Sequence, residues 1–484
     1  MLGQPDRQTI RVALLGFAAV LVLLAFPRKE IGMTGLLAVV GWAAFATIIL
    51  GWLLRSNAVP TATIVAAIML AYTQGLGDAA EDGLRYGGFH PTGESVVRAM
   101  LGVGVFLGTA AVVSRLVSSF VDRRAKPRKA APSLPDEMLV KAMLIFLFAT
   151  FIAALATGLW SFWGDRSVAL GESGGFVKLE LFYAPTLVVT AWFGTLARRD
   201  ENAALGLGSS NRQLGWRIWA MAGALGLMLF ALQSRRLMVV VGLMLVFVMI
   251  TTTDRRQIRT MVARAFALAG LLFVFSTASA GWRELSTESG VSVADRFEGA
   301  IDAVGDSRAF EQIESRLTYL WFDATSHQLM DTGIDLSMSE LALSNFAVAI
   351  PRLLFPDKNE VEQLACENYL EGLSLPDDLP CTPSGEGALW AGFLGIMFAG
   401  LIAGLNLGTA EVLVRRRGLP RIVGLYLLIP YAMLETGVFG FIAGIRLGLI
   451  GTGFVWIVAI GIRLLGAGRA GGRRGGAHAS SPLR

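Results

Sequence analysis

The sequence predicts an all-α, polytopic integral membrane protein with about twelve transmembrane helices. Three observations lead there. With 54% hydrophobic and only 16% charged residues over 484 positions, the chain carries more apolar surface than a water-soluble fold can bury. The apolar residues fall in runs of spanning length, and a backbone in hydrocarbon must satisfy its own polar groups, which selects helices. The basic residues cluster between those runs, as the positive-inside rule expects, so the net charge of +5 reports membrane orientation and not a nucleic-acid partner.

In chain order, the first apolar run is 9–26. It is long for the apolar region of a secretory signal, and no small-x-small cleavage site precedes Pro27 and Arg28, so it reads as a helix. Runs at 33–54, 58–76, 95–120, 138–163, 177–196, 215–233, 236–253 and 262–281 follow. A hydrophilic interval then separates these from 387–409, 420–438 and 441–464. Twelve spans return both termini to one side. The same count puts five basic clusters there: Arg123 to Lys129, Arg198–Arg199, Arg255 to Arg259, Arg415 to Arg417, and the tail after Arg463. That side is the cytoplasm. The organisation expected is helices one to nine over 1–281, an outer loop over 282–386, helices ten to twelve over 387–464, and a disordered basic tail over 465–484, attracted to anionic lipid.

The outer interval holds 20 carboxylates against six cations. It also holds the only two cysteines, Cys366 and Cys381, which an oxidising compartment would let close a disulfide worth about 3 kcal/mol; the alternative is two unpaired thiols. No cytoplasmic loop exceeds roughly 20 residues, and neither a phosphate-binding P-loop nor a strand-associated GxGxxG occurs. Nucleotide chemistry is thereby disfavoured, and chemistry is expected at the outer loop and outer helix ends.

Several residues break local rules there. Arg235 and Arg236 lie midway between Arg217 and Arg255, at the outer apex of a helical hairpin, against the positive-inside trend. Guanidinium forks match phosphate oxygens, which points to a lipid pyrophosphate; the bland reading is arginines snorkelling to headgroups. The outer loop has its own predicted helix over 308–330, with Phe310, Ile313, Leu317, Leu320 and Ala324 on one face. Gln312, Arg316, Tyr319, Asp323 and His327 form the opposite polar stripe, which is either a solvated face or a site where an imidazole beside a carboxylate accepts a proton. Residues 340–356, broken by Asn345 and Pro351 and flanked by Arg352 and Lys358, suggest an interfacial or re-entrant helix. Thr382 is placed to cap the tenth span and Pro383 to occupy its first helical position, which puts Glu386 at the outer membrane surface. In the last hairpin, Glu435 and Arg446 sit at similar depth and are expected to pair, while Glu180 beside Lys178 is ambiguous.

Four segments resemble the bacterial O-antigen and exopolysaccharide polymerases (Wzy-like), relatives of the O-antigen ligases. These are Ser234-Arg235-Arg236-Leu237, the helix led by Ser315-Arg316, the stretch from Ile350-Pro-Arg352 to Lys358, and Pro383-Ser-Gly-Glu386 running into Trp390-Ala-Gly-Phe-Leu-Gly395. The resemblance is one of layout and short signatures and, with the topology, covers most of the chain. It implies a GT-C-like glycosyltransferase architecture in the bacterial inner membrane, and transfer of a growing glycan from undecaprenyl pyrophosphate onto a lipid-linked repeat unit. No cofactor or metal is implied, and a chain-length regulator is an implied partner. By motif position Arg235, Arg236, Arg316 and Arg352 would bind the pyrophosphate, with Lys358 and Tyr319 beside the substrate. His327 or Glu386 would act as base, with Asp323 in the catalytic set.

Three rivals stand against this. A flippase or secondary transporter would show two similar halves and mid-membrane helix breaks. Another enzyme on lipid-linked sugars, such as a ligase, would share the cationic outer site. A scaffold without chemistry would leave the rule-breaking arginines unexplained.

Overall fold

A computed structural model of the chain describes residues 7–25, 32–56, 58–73, 75–84, 90–124, 136–156, 291–305, 318–330, 382–415, 419–433, 437–439 and 441–474, with scattered positions between 186 and 285 and at 337 and 339. Every regular element among the described residues is helical. These are α1 (Arg7–Ala25), α2 (Met33–Arg55), α3 (Val59–Thr73), α4 (Leu76–Asp82), α5 (Gly93–Arg124), α6 (Asp136–Ala156), α7 (Val293–Gly305), α8 (Thr318–Met330), α9 (Pro383–Val414), α10 (Leu419–Met433) and α11 (Phe441–Arg474).

Of these, α2, the stretch Gly93–Val121 of α5, and α9 are long and apolar enough to cross a membrane, and α3 with α4 makes a fourth candidate bent by 48°. Large apolar side chains point outward along them, including Leu37, Ile48, Leu101, Leu116 and Leu394. Such surfaces are stable against hydrocarbon and costly against water. The predicted spans 177–196, 215–233, 236–253 and 262–281 lie largely outside the described residues, and so does most of the loop 331–381.

A glycine seam joins α9 to α5. Gly400, Gly404 and Gly408 lie one helical turn apart on α9, and a Cβ at each would come within 2.7 Å of the carbonyl oxygens of Phe106, Ala110 and Ser114 on α5. Small residues at this spacing let two membrane helices touch backbone to backbone, where dispersion replaces the absent hydrophobic force. At the far end of this seam the buried Glu411 carboxylate accepts from Thr61 N (3.3 Å) and Thr61 Oγ1 (3.1 Å) in the first turn of α3, and from Arg415 Nη2 (3.0 Å). The carboxylate thus satisfies an orphan amide and sits at the positive end of the α3 dipole.

The ends of the bundle differ in charge. Arg55, Arg115 and Arg415 lie toward the end where α2, α5 and α9 finish. Asp78, Glu81, Asp82 and Glu94 gather at the other end, where α4 lies and α5 begins. There Glu81 accepts from Gly35 N (3.0 Å) in the first turn of α2. The helix α11 is drawn through Arg474.

Candidate functional site

The site lies at the acidic end, where α8 enters among α3, α5 and α9. The two-faced helix drawn from the sequence is not what forms. Leu320, Trp321, Phe322 and Ala324 are buried, and so are Asp323, Thr325, Ser326 and His327 on the polar side. Neither side of the described part of α8 is therefore a solvated face, and polar groups this deep need partners.

Asp323 has them. Its Oδ2 accepts from the Tyr72 hydroxyl at the end of α3 (2.9 Å) and from Ser384 Oγ (2.7 Å), while Oδ1 accepts from Thr382 Oγ1. Thr382 is also the cap of α9, accepting from Gly385 N at 3.0 Å, with Pro383 in the first turn as the sequence predicts. Gly385 allows this approach, since a Cβ there would lie 2.6 Å from Asp323 Oδ1. One carboxylate thereby ties the end of α3, the loop helix and the start of α9. Burial raises its pKa from 3.8 to about 6, opposed by the hydroxyls of Thr382, Ser384 and Tyr72 and by the Gly385 amide.

The helix that Thr382 opens is broken. At Ala391 (φ −151°, ψ 30°) and Gly392 (φ 60°, ψ −139°) the backbone leaves the helical region, and only glycine adopts the second conformation without strain. In a straight helix residues 387 and 395 would be roughly 12 Å apart along the axis. Here a Cβ at Gly387 would come within 2.7 Å of the Gly395 carbonyl oxygen, so the short arm 383–390 folds back onto the long arm 393–414. The helix α9 is thus a bent pair, where the sequence predicts a run over 387–409.

The fold-back carries Glu386 inward. It is fully buried, and its Oε2 accepts from Val438 N (2.7 Å) in the turn between α10 and α11. Gly437 faces the carboxyl group, where a Cβ would come within 2.6 Å of Cδ. His327, one turn beyond Asp323, lies against α5 over Gly102, whose absent side chain leaves room for Nε2; a Cβ would meet it at 2.6 Å. The imidazole stacks obliquely on Phe393 just past the bend, with ring centroids 5.6 Å apart. Tyr319 is half-buried, its ring 6.4 Å from that of Tyr72. Asp323, His327 and Tyr319 thus lie where α8 meets α3, α5 and α9, while the Glu386 carboxylate, on the short arm of α9, turns to the α10–α11 turn. A cavity of about 10 Å³, room for a single water, is lined by Tyr72, Val103, Phe106, Ser384 and Tyr431 among others.

Arg235, Arg236, Arg316, Arg352, Lys358, Cys366 and Cys381 lie outside the described residues, as do Glu180 and Glu435. Tyr72, Ser384 and Gly102 were missed by the sequence reading. A tyrosine ending an apolar run and a glycine inside one are ordinary features of spans. Only the close spacing of Gly385, Gly387, Gly392 and Gly395 signals a tight approach. Compared with models of known families, with curated proteins and with solved structures, the chain matches none.

Proposed function

We propose that this protein is a glycosyltransferase of the bacterial inner membrane that polymerises undecaprenyl-pyrophosphate-linked oligosaccharide repeat units into O-antigen or exopolysaccharide. The observation that carries the reading is the junction itself. The helix α8 and the broken helix α9 carry an imidazole and two carboxylates at the acidic end of the bundle; the break by itself is shared with the transporter rival, and the titratable groups beside it favour the enzyme. By the positive-inside rule the basic ends face the cytoplasm, which puts this junction toward the periplasm, where lipid-linked repeat units are joined.

In the reaction, a sugar hydroxyl of the acceptor attacks the anomeric carbon of the donor glycan. The bond from that carbon to the pyrophosphate oxygen breaks, and the electron pair leaves with the lipid pyrophosphate. Arg235, Arg236, Arg316 and Arg352, with Lys358, supply the positive charge that stabilises the departing group. His327 or Glu386 takes the hydroxyl proton, and Tyr319 offers a ring to the glycan. Asp323 is a positioning residue: its acceptor capacity is taken up by three hydroxyls and an amide, which fix α8 against α9.

A ligase would use the same donor chemistry with a different acceptor. The test is chain length in cells that depend on this protein. Arg316→Ala and Arg235→Ala should leave single repeat units on lipid, at normal protein level. Wild-type chain lengths in both variants would remove the pyrophosphate role.

A further inference from the structure

The helix α7 stands apart from this junction and has three faces. Its start is a reciprocal cap: Ser292 Oγ accepts from Asp295 N (3.2 Å), and Asp295 Oδ2 accepts from Ser292 N (3.2 Å). One face packs on the segment at 281–285. A Cβ at Gly281 would lie 2.6 Å from Ala303 Cβ, Leu285 covers Gly299, and the buried Trp282 meets Phe297 edge-on at 4.9 Å. A second face carries Asp295, Glu298 and Asp302, all exposed. The third carries Phe297, Ile301 and Val304, which are 50%, 70% and 39% exposed. Among the described residues no other element covers that stripe. The sequence ends its ninth apolar run at 281, so a helix packed on Gly281 and Trp282 sits at the membrane edge, where an apolar stripe dips among acyl chains.

On the packed side lies Arg296, 6% exposed, and nothing among the described residues accepts from its Nε or Nη1. A guanidinium is always charged and carries donors in a rigid fork, so leaving it buried with two of its nitrogens unsatisfied is costly. An anion with tetrahedral oxygens removes that cost. The anion that arrives together with acyl chains at a membrane edge is a lipid phosphate. From the unsatisfied guanidinium and the adjoining apolar stripe we infer that Arg296 and the Phe297–Ile301–Val304 face of α7 bind one phospholipid of the surrounding bilayer through its phosphate. The site fastens the loop helix to the membrane and is independent of the reading proposed above.

The full chain, purified and delipidated in detergent, is melted with increasing phosphatidylglycerol, and retained lipid is counted by native mass spectrometry. Wild type should bind lipid and melt higher as it is added. Arg296→Met should melt no lower than wild type without lipid, because an unsatisfied buried cation has been removed, yet bind phosphatidylglycerol about tenfold more weakly. Ile301→Asp should weaken lipid binding with Arg296 in place, and Arg296→Lys, which keeps the charge and loses the fork, should fall between. Three results would overturn the inference. One is Arg296→Met melting lower without lipid and binding it unchanged, the mark of a protein partner. The second is an equal rise in melting temperature with inorganic phosphate at matched concentration. The third is displacement of phosphatidylglycerol by an equimolar amount of polyprenyl phosphate, which would assign the site to the carrier lipid.

Discussion

Asp323 trades hydration for four protein donors, and its raised pKa records that the exchange is incomplete. Because the folded value of about 6 lies above the ordinary carboxyl value of 3.8, the folded protein holds this proton more tightly than the unfolded chain. The associated stability is complete below about pH 4 and is lost as pH rises to about 6, by roughly 3 kcal/mol over the whole window. Melting temperature in detergent is therefore expected to fall across that interval, and Asp323→Asn to flatten the profile. An unchanged slope in the variant would show that another group titrates there. Little of this was legible in the sequence. The polar stripe placed Asp323 and His327 on one helix face, but their partners Tyr72 and Gly102 come from spans more than two hundred residues earlier. Periodicity reports which face a residue shares and is silent about what packs on that face.

Among the elements, α9 carries the most consequence. Its cap was readable, since threonine before proline at the start of an apolar run has a local physical cause. The bend was not, because mean apolarity is the same for a straight span and for one folded on itself. The burial of Glu386 within the protein was hidden for the same reason. The long arm of α9 depends on its glycine seam with α5, where there is no room for a side chain. Gly404→Leu is expected to destabilise the protein by several kcal/mol, because backbone and not a movable side-chain tip blocks the new atoms. Loss of the folded fraction by size-exclusion fluorescence would bear this out, and a wild-type melting curve would refute it. Leu405→Ala, one residue along and facing outward, serves as the control and should change little.

At the scale of the molecule, helical class and membrane character were legible from composition and run length alone. So was the opposition of a basic end to an acidic one, since both rest on local sequence and the properties of lipid. How the spans assemble was not, because apolar faces in hydrocarbon do not announce their neighbours. Orientation is open to direct test: reporter fusions at Arg199 and Pro376 should report opposite sides of the membrane, and the same side for both would refute the twelve-span arrangement. The central proposal, that a lipid-linked glycan is lengthened at the junction of α8 and α9, is tested most directly by reconstitution. The purified protein in liposomes, given undecaprenyl-pyrophosphate-linked repeat units as donor and acceptor, should yield a ladder of longer lipid-linked glycans and one undecaprenyl pyrophosphate per linkage formed. Glu386→Gln with His327→Ala should abolish the ladder while the protein remains folded. Undiminished extension by that double variant, or repeat units left unextended by the wild-type protein, would contradict the account.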